Sequence, residues 1–409
     1  MWEERAPKAA LSRRALFGVL GAALVAAGCE DGDGGRDEGS APNGVLGANF
    51  NEDPAGVDPS ELRALSASWL RGFIPMREAD NGDPANQPAV AALLKAAEQG
   101  YGTILTLKFP YNHRSFPPPD SPAMAAELAR LDKVAQAAMG KVNILVIGNE
   151  PFIESRPPDR AGGAINAFYE KVAQHIIGYR RERFGSRCKT RLYMGALNHL
   201  DDPRQRTGST ERWMAFTRGT REIEGVDIHP HVVSIEAGRK YLDYVLPRLR
   251  DDQKFLATEF SLMPYWRQHM RDGIPAEFAR RHAMDPDMPV WELLRNSIRN
   301  PLPQATWNEF LALSPWFETR KHYLRNQVQE FRDTGRLAVA TYGVLQAQAM
   351  VRDFGPGKPP WLLNSLYASR TVQPQSDGTP GRSYSWFDDF RALQRKNDRL
   401  PVRTGETPT

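Results

Sequence analysis

From Gly44 onward, short apolar runs rich in β-forming residues alternate with longer stretches of helical periodicity, and the alternation recurs eight times. That order is the pattern of βα units around a parallel sheet. The expected strands are Val45–Phe50, Leu70–Met76, Thr103–Phe109, Asn143–Gly148, Arg191–Leu197, Val226–His229, Lys254–Glu259 and Leu337–Tyr342. Several are apolar almost throughout, as strands covered on both faces must be. Asp58-Pro59-Ser60-Glu61 and Ser121-Pro122 carry helix-start chemistry. Between Asn86 and Gly100, Val90, Leu93, Leu94 and Ala97 recur at helical spacing, and Ala164–Phe184 and Glu236–Leu249 behave alike. Eight units in roughly 340 residues predict an α/β fold, a closed (β/α)8 TIM barrel. The alternative, a doubly wound open sheet, wants a Gly-rich phosphate loop after its first strand. Gly47-Ala48-Asn49-Phe50-Asn51 does not provide one.

One departure from regular spacing stands between strands seven and eight. Residues 263–320 hold several helical runs with Trp266, Trp291, Trp307 and Trp316. Because this long helical insertion leaves the C-terminal end of a strand, the expectation is a lid or subsite wall over the barrel mouth, with a scaffold insertion as the alternative.

The first 43 residues read differently. Arg5, Lys8, Arg13 and Arg14 precede an apolar stretch, and Val25-Ala26-Ala27-Gly28 leads to Cys29. Small residues before a cysteine resemble a bacterial lipobox, and Ser12-Arg13-Arg14-Ala15-Leu16-Phe17 resembles a twin-arginine export signal. The expected organisation is an export signal over 1–28, a lipidated Cys29 with a flexible tether over 29–43, and a barrel over 44–400. Such a chain is exported and anchored on the periplasmic or cell-surface side of a membrane by its lipid. An uncleaved membrane anchor would need about 20 apolar residues, more than this stretch holds. With Cys29 lipidated, Cys188 has no intramolecular disulfide partner. Beyond residue 28, 49 basic residues face 47 acidic ones. That balance argues against a nucleic-acid partner. The expected state is a monomer.

The strongest chemical signals lie at strand ends. Strand four runs into Gly148-Asn149-Glu150-Pro151, and strand seven runs through Thr258 into Glu259-Phe260-Ser261. Two carboxylates at one barrel mouth are what glycoside hydrolysis needs, one to protonate the leaving oxygen and one to attack or to activate water. On Asn149-Glu150-Pro151 and the strand-seven Glu259, the chain resembles clan A of the retaining glycoside hydrolases. The resemblance implies that Glu150 is the general acid/base, with a raised pKa, and Glu259 the ionised nucleophile. It further implies that Asn149 binds the sugar 2-hydroxyl, that Arg71 holds the nucleophile ionised and that His229 hydrogen-bonds it. By residue type alone, Arg71 also suits an ion pair at the barrel bottom, and His229 a satisfied structural site. Strand eight departs from the family pattern: Thr341-Tyr342-Gly343 stands where many members carry Trp. Tyr342 and Trp361 are the candidate sugar platforms, and Asn112, His113, Asn198 and His199 are further rim candidates.

His199, His229 and His231 lack the spacing of a metal motif such as HExxH, and glycoside hydrolysis requires neither metal nor cofactor, so none is expected. The functional expectation is a retaining glycosidase or transglycosylase acting on an extracytoplasmic oligo- or polysaccharide. The alternatives are a non-catalytic carbohydrate-binding lipoprotein on a degenerate barrel, and an envelope protein that docks through the insertion.

Overall fold

The computed structural model describes residues 41–51 and 58–394. The segments read as export signal and lipidation site, most of the tether, and the chain beyond 394 lie outside the described residues. Eight strands close into one barrel: β1 (Val45–Asn51), β2 (Trp69–Pro75), β3 (Gly102–Lys108), β4 (Ile144–Ile147), β5 (Arg191–Asn198), β6 (Ile223–His229), β7 (Lys254–Ala257) and β8 (Leu337–Gly343). Each pairs in parallel with its sequence neighbours, and β1 pairs with β8. Where β4 and β7 stop short of the expected ends, the cause is local. Gly148 takes φ +107° after β4, and the Thr258 amide after β7 donates to Asp227 Oδ1 at 3.0 Å.

Side chains alternate across the strands. Leu46, Ala48, Leu70, Leu105, Leu107, Leu145 and Ile147 join the large core between barrel and helices. Their neighbours Val45, Ile104, Ile144, Val146, Tyr193, Leu256 and Val339 form a separate small cluster, with Trp69 packed against it. Period-two strands in a closed barrel require this division into an outer and an inner set. Further along the same inward rows stand Arg71, Thr106, Asp227 and Thr258, all fully buried. The barrel interior is therefore apolar at one level and polar at the next.

Helices begin where the chain supplies caps. Asp58 accepts from the Ser60 amide with Pro59 at the first position, and Ser121 accepts from the Met124 amide. The second helix starts at Pro88, capped by Gln87, and ends at Glu98. Ala164–Phe184 is one continuous helix, and Ser234 caps Ile235–Val245.

The stretch after β7 forms five short helices, from Met263–Gln268 to Pro315–Glu318. Its aromatic residues pack inward. Trp266 is fully buried, stacks on Phe317 with ring centroids 5.0 Å apart, and donates from Nε1 to Asn364 Oδ1 at 3.1 Å. Trp307 and Trp316 are buried as well. These three rings face protein, which fits the scaffold alternative, and Trp266 supports the turn Trp361–Asn364 that follows β8.

Neighbouring strands β6 and β7 approach closely at Gly225. It holds φ +153°, and a Cβ there would fall 1.6 Å from the Lys254 carbonyl oxygen. Gly225→Ala is expected to destabilise the fold by about 2–4 kcal/mol. Gly208→Ala, at an open helix start with nothing within 4 Å, should stay within about 0.5 kcal/mol of wild type. Urea unfolding of the two variants checks this, and equal midpoints would contradict it.

Candidate active site

The site is built around a buried cation. Arg71 leaves β2 on the inward row, with none of its surface exposed. A guanidinium taken out of water needs partners for its N–H groups. Nε donates to Thr106 Oγ1 (3.2 Å), and the two N–H groups of Nη1 are shared among Asn49 Oδ1 (3.3 Å), Asn51 Oδ1 (3.0 Å) and Glu259 Oε1 (2.5 Å). Nη2 donates to Asn149 Oδ1 at 2.7 Å. Arg71 is thus not an ion pair at the barrel bottom: it ties the ends of β1, β4 and β7 to one charge.

Glu150 is held in another way. It follows Gly148, whose Cβ, if it had one, would lie 2.2 Å from the Gly195 carbonyl oxygen, and Glu150 itself takes φ +45°. A non-glycine residue in that region costs about 1–3 kcal/mol and is kept only where the surroundings enforce it. Here the Ile153 and Glu154 amides both donate to the Glu150 carbonyl, at 2.8 and 2.9 Å. The resulting turn aims the carboxylate at His229, whose Nδ1 lies 3.3 Å from Glu150 Oε1.

This corrects one expectation. His229 bonds Glu150, the strand-four glutamate, and not Glu259. Its Nε2 is 2.9 Å from Thr258 Oγ1, and that hydroxyl donates to Asp227 Oδ2 at 2.5 Å. His231 is the histidine that faces both carboxylates: Nε2 stands 3.9 Å from Glu150 Oε1 and 3.7 Å from Glu259 Oε2. Those two oxygens are therefore under about 8 Å apart, a range that includes both the spacing of about 5–5.5 Å used for retention and the lower part of the roughly 6.5–9.5 Å used for inversion. His231 Nδ1 is anchored on Ser261 Oγ at 2.8 Å.

The electrostatics follow from these contacts. Burial opposes charge on Glu259, but His229 and Arg71 outweigh it and hold the carboxyl well below the usual range. Burial also pulls the His229 imidazole down, yet Glu259, Asp227 and Glu150 push it up to about 10. Glu150, expected to be raised, is lowered. Burial raises it, but the hydrogen bond and charge of His229 prevail.

Of the platform candidates, Trp361 reaches the site: its ring meets His231 edge-on with centroids 4.8 Å apart. Tyr342 does not. Strand alternation turns Thr341 inward, where its hydroxyl donates to the Thr258 carbonyl at 2.6 Å. Tyr342 therefore faces the outer core, fully buried against Phe260 and Trp386. Asn198 is buried in register with His229, and its Nδ2 has no partner among the described residues. Asn112, His113 and His199 are exposed at the rim, Asn112 donating to the Ile153 carbonyl at 3.0 Å. Missed in the sequence were Asn49, Asn51, Thr106, Lys108, Glu154, Asp227 and Thr258. Alternation pointed to Asn49 and Asn51, which share a face of β1 with each other; nothing local marked Glu154.

Glu150, His229 and His231 bring donor atoms within 4.8 Å of one another, a grouping that the spacing of histidines did not predict. Within this group His229 Nδ1 and Glu150 Oε1 are hydrogen-bonded to each other.

No family model matches the chain, and no curated protein matches it. Solved structures with a similar fold include a psychrophilic glycoside hydrolase family 10 endo-β-1,4-xylanase, at 9% identity and TM-score 0.49 over 85% of this chain and 96% of that one. Another is an endo-β-1,4-glucanase from Xanthomonas axonopodis pv. citri, at 13% identity and TM-score 0.47 over 85% and 98%. A third is endo-glycoceramidase II from Rhodococcus sp., at 15% identity and TM-score 0.43 over 87% and 79%.

His229 links the site to stability. A histidine raised from 6.5 to about 10 on folding contributes stability that is complete below pH 6.5 and is lost as pH rises towards 10. His229→Asn should be less stable than wild type at pH 6 and should flatten the decline in urea midpoint between those limits. Parallel curves for the two proteins would refute the charge assignment.

Proposed function

We propose that this chain is a retaining glycoside hydrolase, or a transglycosylase, that cleaves O-glycosidic bonds of an extracytoplasmic glycan by double displacement. The observation that carries the reading is the unequal treatment of two carboxylates at one barrel mouth. Glu259 is clamped by Arg71 through Oε1 at 2.5 Å, and Glu150 shares a proton site with His229.

In the first step Glu259 Oε2, the oxygen not bound by Arg71, attacks the anomeric carbon. The bond to the leaving oxygen breaks, and Glu150 gives that oxygen its proton. In the second step Glu150 takes a proton from water or an acceptor hydroxyl, whose oxygen displaces Glu259 and restores its carboxylate. Glu150 must be protonated to begin. Burial opposes charge on its carboxyl while His229 favours it, and its side chain is 21% exposed. A sugar seated over it removes that remaining water and favours proton uptake from solvent. Asn149 supplies a donor to the 2-hydroxyl, and Trp361 an apolar wall beside His231.

A 2-fluoro glycoside should label Glu259 covalently, as peptide mass mapping would show, and Glu259→Ala should abolish the label. Glu150→Ala should lose about 10²–10⁴-fold in turnover of substrates with poor leaving groups, and far less on activated aryl glycosides. Glycan binding without labelling or turnover would favour a binding protein instead. The similar folds named above include a xylanase, a glucanase and a glycoceramidase; a glycan array on the untethered domain would choose among such substrates.

We also propose lipid anchoring at Cys29. Cys29→Ala should move the exported protein from the membrane to the soluble fraction, and retention on the membrane would count against the anchor.

A further inference from the structure

Beside the two carboxylates stands a third that the reaction scheme leaves unused. Glu154 lies on the loop after β4 and is 6% exposed. Its Oε1 accepts from Asn149 Nδ2 at 2.8 Å and faces Lys108 Nζ at 3.4 Å, whereas its Oε2 is buried with no hydrogen-bond partner among the described residues. We infer that Glu154 is the positioning residue that fixes which way the Asn149 amide points, and so presents an Asn149 N–H, and not its oxygen, to the substrate. The inference deepens the glycosidase reading and rests on it.

A side-chain amide has an oxygen and an NH₂ of nearly equal size, and only its partners decide which end lies where. Arg71, a donor with no acceptor, takes the Asn149 oxygen at 2.7 Å. Glu154, when ionised, is an acceptor with no donor and takes the nitrogen. Opposite charges on the two ends exclude the flipped amide, which would set N–H against guanidinium and oxygen against carboxylate. One N–H of Asn149 is spent on Glu154, and the other makes no hydrogen bond among the described residues. Opposite a sugar hydroxyl, that N–H is a donor polarised by a neighbouring carboxylate, the kind of contact that strengthens as charge develops.

The backbone keeps Glu154 in place. Its N–H donates to the Glu150 carbonyl at 2.9 Å, and its carbonyl accepts from the Tyr111 amide at 2.8 Å. Lys108, at the end of β3, holds the carboxylate from the other side, with its Nζ 4.6 Å from the Phe73 ring centroid. The titratable groups that face Glu154 are Lys108 from β3, Glu150 from the same loop and Tyr169 from the helix Ala164–Phe184. Burial pushes its carboxyl up to about 7 against the pull of Lys108. The clamp on Asn149 therefore loosens as pH falls below neutrality, while the Arg71 side holds.

The test combines a double-mutant cycle with a direct view of the amide. Glu154→Leu, which fills the site but accepts nothing, should lower kcat at least about tenfold with KM changed less than about threefold. Glu154→Gln keeps an acceptor oxygen and should restore kcat to within about threefold of wild type. In an Asn149→Ala background, Glu154→Leu should cost less than about twofold more, because the residue through which it acts is gone. A full tenfold loss in that background would overturn the inference and leave the glycosidase reading intact. Independently of turnover, the Asn149 Nδ2 resonance of asparagine-labelled protein, assigned through Asn149→Asp, should titrate near pH 7 in wild type and not in Glu154→Gln. If no glycoside is turned over, the glycosidase reading falls and this titration alone decides whether Glu154 orders Asn149. An Asn149 resonance indifferent to Glu154→Gln would overturn the inference, also where Glu154→Leu does not fold.

Discussion

The buried charge of Arg71 is the constraint around which the upper barrel is arranged. Removing a guanidinium from water costs several kcal/mol, and only a full set of acceptors offsets it. Those acceptors come from four different strands or strand ends: Asn49 and Asn51 from β1, Thr106 from β3, Asn149 after β4 and Glu259 after β7. One solvation requirement thereby sets the relative positions of a clamped carboxylate and of the amide beside Glu150. The apolar level made by Val45, Ile104, Ile144, Val146, Tyr193, Leu256 and Val339 keeps water away from one side of this cluster. Charge interactions in the polar level are stronger for that exclusion.

His229 is the second pole of the same field. Fully buried among Asp227, Glu150 and Glu259, it carries a proton because three carboxylates surround it. The same proton lowers Glu150, so the two groups titrate as a pair and not as independent residues. The chemistry proposed for Glu150 depends on that pair. The helices after β7 contribute at one remove: Trp266 bonds Asn364 and steadies the turn that carries Trp361 to His231.

Much of this was legible along the chain. Eight strands lie within a few residues of the runs marked by apolar content, and Asp58 and Ser121 cap helices where side-chain oxygens precede helical periodicity. Glu150 and Glu259 were legible because a carboxylate ending an apolar strand has only the barrel mouth to go to. Less legible was Glu154, which sits in a loop without periodicity and matters only through the amide it meets. Tyr342 was misplaced by attending to residue type at a strand end; counting the alternation from Thr341 turns it outward.

The sequence by itself determined the barrel, the order and approximate extent of its strands and the mouth at which two glutamates emerge, because burial and periods of two and 3.6 residues are local properties of a chain. Only the tertiary structure decided the pairings: Arg71 with Glu259 across 188 positions, His229 with Glu150 instead of Glu259, and Glu154 with Asn149. The reason is geometric. Strand tilt and stagger in a closed barrel fix which inward side chains share a level, and no single strand's pattern encodes the stagger.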